Sequence, residues 1–142
     1  MRRDSFTFKR GGWRMDELSI LIVEDDEVAA EILQQFILQH RSKAKVEWCW
    51  NGFEALVKVQ EIEPDLVFLD YMMPKLDGME FIAALKELQA CKKSYITVIS
   101  AYVDESKEKE FLQMGVDEVL SKPINIEQIG AVLDKVGSLV KA

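Results

Sequence analysis

The sequence has few of the residues that build metal centres, disulfide frameworks or membrane spans. Of its 142 residues, two are cysteine, one is histidine and three are proline. Cys49 and Cys91 have no close spacing, which argues against a disulfide framework or a zinc site, and His40 alone cannot complete a histidine-based site. No apolar run reaches the roughly 20 residues that a membrane-spanning helix needs. We therefore predict reduced cysteines, a surface position for His40 and a cytoplasmic chain without membrane insertion.

Charge is distributed unevenly along the chain. Residues 1–14 contain five basic side chains and one acid, which gives this segment +4; since the whole chain carries −7, the remaining residues carry −11. A segment with this much negative charge lacks the positive charge that direct binding to nucleic acid requires. The basic segment has no apolar stretch behind it, so it is not a signal peptide. We predict a disordered or artificial extension over residues 1–15 and one domain over residues 16–142.

Short apolar runs alternate with amphipathic stretches five times along this domain. Runs rich in β-branched residues predict buried strands, whereas apolar residues at helical spacing predict helices packed on a sheet. The predicted strands are residues 18–23, 46–50, 66–69, 95–99 and 116–120. Because parallel strands need crossover connections, the alternation predicts an α/β fold of the (βα)5 type, with helices on both faces of a parallel sheet. The more polar second strand is expected at a sheet edge.

Helix starts are marked by residues that cap the free backbone N–H groups of a first turn. Gly115 marks the end of a short, highly charged fourth helix over residues 104–114. The expected caps are Asp26 before the first helix and the pairs Asn51 with Glu54, Asp77 with Glu80, and Asn125 with Gln128.

Polar side chains follow the predicted strands at the ends where ligands bind in open parallel sheets. The first strand is followed by Glu24 and Asp25, and the third by Asp70. Three carboxylates at one edge repel one another and raise each other's pKa unless a positive charge neutralises them. A hard cation with oxygen ligands meets that need, so these residues predict a site for Mg²⁺ or Mn²⁺.

Asp70 is also suited to a chemical role. It follows an apolar strand, which holds it rigidly, and a carboxylate can act as a nucleophile that forms an aspartyl phosphate. Ser100 and Lys122, at the ends of the fourth and fifth strands, can stabilise phosphoryl oxygens. Alone, Ser100 is typical of a turn and Lys122 of a surface lysine. Ala101 leaves space over the site. A cis bond between Lys122 and Pro123 would be one way to aim the lysine inward.

Four segments of the chain resemble the signature segments of response-regulator receivers of the CheY-like superfamily. They are residues 21–26 (LIVEDD), 69–78 (LDYMMPKLDG), 99–101 (ISA) and 121–123 (SKP). Their order and spacing make the resemblance far more specific than any one segment, and it covers about residues 17–140. The resemblance implies a flavodoxin-like, doubly wound sheet with strand order 2-1-3-4-5.

The resemblance also implies a two-component signalling protein that catalyses only its own aspartyl phosphorylation and dephosphorylation. The expected partners are a sensor histidine kinase or a phosphotransfer protein, and a downstream protein that binds the face of the fourth helix, fifth strand and fifth helix; a homodimer is left open. The implied site residues are Asp70 as phosphoacceptor, Asp25 and Glu24 as metal ligands, the Met72 backbone carbonyl as a further ligand, Ser100 as switch hydroxyl, Lys122 as phosphoryl contact and Pro123 after a cis bond.

The chain departs from the family pattern at one position. Three residues before the lysine, where the family often has an inward-swinging tyrosine or phenylalanine, this chain has Val119. That puts an aromatic rotamer switch in doubt. Tyr102 and Met72 lie where the family controls access of the attacking water. Because both are bulky and non-acidic, we predict a long-lived phosphoryl group.

Three other functions are alternatives to this interpretation. A pseudo-receiver that binds partners without phosphorylation would lack the acceptor, an acid or the lysine, and none is missing. A phosphohydrolase of the haloacid-dehalogenase type needs a second Asp two residues after the first, where this chain has Met72. A flavodoxin-like cofactor binder needs a phosphate loop after the first strand, where acidic residues would repel phosphate.

Overall fold

The structure is a computed structural model that describes residues 17–71, 78–88 and 94–141. In these ranges strands and helices alternate, as the sequence pattern predicts. The elements are β1 (Ser19–Val23), α1 (Glu27–His40), β2 (Lys45–Cys49), α2 (Gly52–Ile62), β3 (Leu66–Asp70), α3 (Gly78–Glu87), β4 (Tyr95–Ser100), α4 (Glu105–Gln113), β5 (Glu118–Ser121) and α5 (Ile126–Lys141).

The strands form one five-stranded sheet with the order β2-β1-β3-β4-β5, and every neighbouring pair is parallel. This confirms the predicted α/β fold and its strand order. β3 lies in the middle of the sheet and is buried along its whole length. β2 lies at an edge, where its alternating exposed and half-buried residues match the polar pattern of its sequence. The order places the carboxyl ends of β1, β3, β4 and β5 side by side.

The hydrophobic core has two layers, one on each face of the sheet. Successive strand residues point to opposite faces, so alternate residues of each strand enter different layers. On one face, Leu21 and Val67 pack with residues of α2, α3 and α4, including Phe111. On the other face, Ile20 and Phe68 pack with residues of α1 and α5. Both faces of the sheet are thus covered, as a parallel sheet requires.

The predicted helix caps are present wherever the structure describes them. The Asp26 carboxylate accepts hydrogen bonds from the N–H groups of Val28 and Ala29. The other caps are Asn51, which accepts from the Glu54 N–H at 2.8 Å, and Asn125, which accepts from the Gln128 N–H at 2.8 Å. Asp77, the first residue of the predicted pair with Glu80, lies outside the described residues.

Gly115, at the end of α4, has a φ of 99°, and a Cβ added there would lie 2.8 Å from the Lys86 Cε atom. The left-handed backbone and the close lysine both favour glycine at this helix end.

Cys49 is buried and free, and Cys91 lies outside the described residues. His40 is exposed, and its Nε2 atom lies 2.8 Å from the Asp134 Oδ1 atom. Among the described helices, none has the length and apolar character that a bilayer crossing requires. The basic extension also lies outside the described residues, so the predicted domain division stays a prediction.

Thr97 in β4 supports a prediction about stability. It is fully buried, and its hydroxyl oxygen has no hydrogen-bond partner among the described residues. Valine has almost the same shape without the hydroxyl, so Thr97→Val should raise the free energy of unfolding by about 1 kcal/mol in urea titrations. Thr97→Ser is the matched control, because it keeps the hydroxyl and loses a buried methyl group, and should be less stable than the wild type. A less stable Thr97→Val variant would contradict the prediction.

Candidate functional site

The site lies at the carboxyl edge of the sheet, where four strand ends meet. Glu24 and Asp25 follow β1, Asp70 is the last residue of β3, Ser100 is the last residue of β4, and Lys122 follows β5. Because β3 pairs with both β1 and β4, Asp70 occupies the middle of this edge. The structure therefore brings together the residues that the sequence placed at separate strand ends.

Three carboxylates form a compact cluster at this edge. One oxygen atom each from Glu24, Asp25 and Asp70 lies within 4.8 Å of the others. Glu24 and Asp70 are only 7% and 6% exposed, whereas Asp25 is exposed. Octahedral Mg²⁺ with ligands at about 2.1 Å has neighbouring ligand oxygens about 3 Å apart and opposite ones about 4 Å apart. The all-oxygen donor set is of the type that a small divalent cation prefers, and its oxygen atoms lie close to the separations that such a cation requires.

The cluster is electrostatically unfavourable without a cation. The pKa of Glu24 is raised to about 8, mainly by burial and further by a side-chain hydrogen bond with Asp70 and by the charge of Asp70. The Asp26 N–H donates to the Glu24 Oε2 atom at 3.1 Å, and this bond and the charge of Lys122 act in the opposite direction. Glu24 thus favours its protonated form beside Asp70 at neutral pH. A bound cation would relieve this repulsion.

Lys122 is aimed at Asp70. Its Nζ atom donates to the Asp70 Oδ2 atom at 3.2 Å, with the lysine side chain 35% exposed. The Lys122 N–H donates to the Ser100 carbonyl at 2.9 Å, so the backbone here is tied to the end of β4. The bond between Lys122 and Pro123 is cis. The hydrogen bond from the Lys122 Nζ atom places a positive charge against the carboxylate of Asp70.

The Ser100 side chain is buried at the same edge of the sheet. Its Oγ atom accepts a hydrogen bond of 3.3 Å from the Tyr102 N–H. Tyr102 is 79% exposed, and Ala101 is also exposed. Val119 is half-buried and packs into the layer that contains Phe111. Met72, the expected carbonyl ligand, lies outside the described residues.

Two residues beside the site were missed by the sequence analysis. The Trp48 indole Nε1 atom donates to the Glu24 backbone carbonyl at 2.6 Å. Tyr71, directly after Asp70, packs edge-on against Phe111 with ring centroids 4.8 Å apart, and the Lys107 Nζ atom lies 5.6 Å from the Tyr71 ring. Neither contact follows from strand or helix periodicity, because each joins residues that are distant in sequence.

Comparison with known proteins identifies the family. A family model for the response regulator receiver domain matches residues 20–134. The chain belongs to this family. The receiver domain is also 33% identical, over 120 residues, to the "Probable C4-dicarboxylate response regulator DctR" of Halalkalibacterium halodurans. That alignment covers 82% of this chain and 50% of DctR, so the chain spans about half the length of this relative.

Solved structures show the same fold. The chemotaxis response regulator CheY4 of Vibrio cholerae superposes on this receiver domain with a TM-score of 0.76 and 26% identity, covering 84% of this chain and 98% of CheY4. The receiver domain of the sensor histidine kinase PA1611 from Pseudomonas aeruginosa has a TM-score of 0.76 and 20% identity, covering 86% and 98%. The PA1611 structure has a magnesium ion coordinated in its active-site cleft. A receiver domain is a module of two-component signalling rather than a conventional enzyme.

Proposed function

We propose that this receiver domain accepts a phosphoryl group on Asp70 in a Mg²⁺-dependent reaction, and that phosphorylation shifts the conformation of the domain and its binding to a partner. The observation that carries the proposal is the position of Asp70 in the middle of the carboxyl edge. It lies there between the acids Glu24 and Asp25 on one side and the Lys122 ammonium on the other. A nucleophile, a cation site and a fixed positive charge are thus within reach of one transferred phosphoryl group.

The reaction is a simple transfer between two groups. A carboxylate oxygen of Asp70 forms a bond to phosphorus as the bond from phosphorus to the imidazole nitrogen of a donor phosphohistidine breaks, and the electron pair stays on that nitrogen. The Lys122 Nζ atom already donates to the Asp70 Oδ2 atom at 3.2 Å, so it stands where a phosphoryl oxygen would need a positive charge. The Ser100 hydroxyl supplies a further donor at the edge of the sheet.

A divalent cation would be held by Glu24, Asp25 and Asp70, with the Met72 carbonyl as the further ligand that the family resemblance implies. When bound, it supplies charge neutralisation for the phosphoryl oxygens. The protein's own contribution is to hold these carboxylates on rigid strand ends before the donor arrives.

The proposed output is a shift between two packings of the domain. The phosphoryl donor is a sensor histidine kinase or a phosphotransfer protein, and the downstream partner binds the face formed by α4, β5 and α5. A homodimer stays open as a prediction. Val119 is half-buried at the position of the family's swinging aromatic, so the shift in this domain does not depend on an aromatic rotamer there. We place the domain in the cytoplasm, where such kinases present their phosphohistidines.

The test is phosphorylation by acetyl phosphate, followed by measurement of the intact mass. The wild type with Mg²⁺ should gain one phosphoryl group, and the gain should disappear when EDTA is added or when Asp70 is replaced in Asp70→Asn. No adduct in the wild type would favour a pseudo-receiver instead. Repeated turnover of an added phosphate ester would favour a phosphohydrolase. Either result overturns the proposal.

The lifetime of the phosphoryl group gives a separate prediction. If Tyr102 restricts the attacking water, phospho-Asp70 of the wild type should decay slowly after the donor is removed, and Tyr102→Ala should decay several-fold faster. Val119→Ala is a matched control, because Val119 packs in the core rather than over the site. The same decay rate in the wild type and Tyr102→Ala would contradict a role for this side chain.

A further inference from the structure

The backbone of Glu24 is held from two directions by the end of β2. Its N–H donates to the Cys49 carbonyl at 3.0 Å, and its carbonyl accepts from the Trp48 Nε1 atom at 2.6 Å. The pairing of β1 with β2 ends at Val23 and Cys49. The indole therefore continues the connection between the two strands one residue beyond the point where their ladder ends.

The position of the Glu24 carbonyl explains why a side chain is needed there. After Cys49 the chain leaves the sheet and enters α2 at Gly52, so β2 offers this carbonyl no further backbone donor. Glu24 is buried, and a buried carbonyl without a partner is costly. The indole is a donor with no acceptor capacity, which suits a carbonyl partner. Trp50 lies edge-on to Trp48 with ring centroids 5.5 Å apart, and it is more than half exposed.

This hydrogen bond acts on the cation site through the backbone. The Glu24 carbonyl belongs to the peptide group that joins Glu24 to Asp25, so fixing that group fixes the orientation from which both carboxylates leave the chain. Asp25 is exposed and lies outside the hydrophobic core, so core packing contributes little to its position. We infer that Trp48 is a positioning residue for the Glu24 and Asp25 carboxylates, and that its indole senses occupation of the cation site. The inference rests on the proposed function.

The first test compares the Mg²⁺ affinities of two tryptophan variants by calorimetric titration. Trp48→Phe keeps an aromatic ring and loses the N–H, so its dissociation constant for Mg²⁺ should rise about tenfold, at the low end for groups that orient metal ligands. Trp50→Phe is the matched control: it replaces the neighbouring, exposed indole, which is not the donor to Glu24, and its affinity should stay within about twofold of the wild type.

The outcomes separate this inference from the proposed function. A wild type that does not bind Mg²⁺ would overturn the cation site itself. A wild type that binds and a Trp48→Phe variant that binds equally well would overturn only the positioning role. Unfolding midpoints of both variants in EDTA provide the structural readout. Trp48→Phe leaves the buried Glu24 carbonyl without its donor, so its midpoint should fall by the cost of about one buried hydrogen bond. A single cooperative transition well above the titration temperature would show that its loss of affinity is not a loss of fold.

A second measurement needs no folded variant at Trp48. In the wild type without Mg²⁺, the Trp48 indole N–H should exchange slowly with solvent in nuclear magnetic resonance spectra, because it is hydrogen-bonded and half-buried. Addition of Mg²⁺ should shift this resonance more than that of Trp50, which serves as the internal reference. Rapid exchange of the Trp48 N–H, or a Mg²⁺ titration that leaves its resonance unmoved, would overturn the inference.

Discussion

Asp25→Ala is expected to lower the affinity of the domain for Mg²⁺ by about 100-fold or more and to leave the fold intact. Asp25 offers one of the clustered carboxylate oxygens, and loss of a direct ligand should exceed the 10- to 100-fold cost of losing a group that only orients ligands. Its side chain is exposed, so its removal leaves the two core layers intact. Without a cation the variant should be at least as stable as the wild type, because one member of a repelling cluster is gone.

Calorimetric titration with Mg²⁺ and thermal unfolding in EDTA measure the two parts of this prediction. Asp26→Asn is the matched control. It removes the next negative charge along the chain, yet asparagine still caps α1, so the fold and the cation affinity should change little. An Asp25→Ala variant that binds Mg²⁺ as the wild type does would show that the cation is held elsewhere.

Phe111→Ala is expected to lower the free energy of unfolding by about 3–5 kcal/mol, the usual cost of removing a buried phenylalanine. Phe111 is the buried side chain of α4, a helix whose other residues are largely charged and polar. Its ring also contacts Tyr71, next to the phosphoacceptor. The variant should therefore lose the attachment of α4 to the sheet before it loses the rest of the fold.

Urea titration gives the loss of stability, and amide hydrogen exchange shows where it falls. Exchange should accelerate most in α4 and least in β3, in the middle of the sheet. Leu112→Ala is the control: this neighbour is 46% exposed, so the variant should stay within about 0.5 kcal/mol of the wild type. A Phe111→Ala variant that is as stable as Leu112→Ala would contradict the assigned anchoring.

The fold could be predicted from the sequence because local and long-range signals agree. Strand and helix periodicities alternate, and the caps Asp26, Asn51 and Asn125 mark where helices begin. Errors fall at the strand ends. β5 was predicted from Val116 but begins at Glu118, because the Val116 N–H donates to the Phe111 carbonyl at the end of α4. An apolar residue that closes a helix cannot be distinguished from the start of a strand by periodicity.

The residues gathered at the site were predictable for a different reason. In a parallel sheet the carboxyl ends of the strands meet at one edge, so Glu24, Asp25, Asp70 and Lys122 had to approach one another once the topology was known. The contacts of Trp48 and Tyr71 could not be found in this way. They depend on side-chain directions set by tertiary packing, and the alternating pattern of β2 indicates only that Trp48 faces away from Cys49.

Tyr71 links the proposed phosphoacceptor, Asp70, to helix α4 on the surface of the domain. Only one peptide bond separates it from Asp70, its N–H is held by the Ile99 carbonyl, and its ring rests on Phe111. A displacement of the main chain at Asp70 must therefore either carry the tyrosine ring along against α4 or break a contact of 4.8 Å between ring centroids. A change at Asp70 can therefore reach α4 through the contact between Tyr71 and Phe111, and this path does not include Val119.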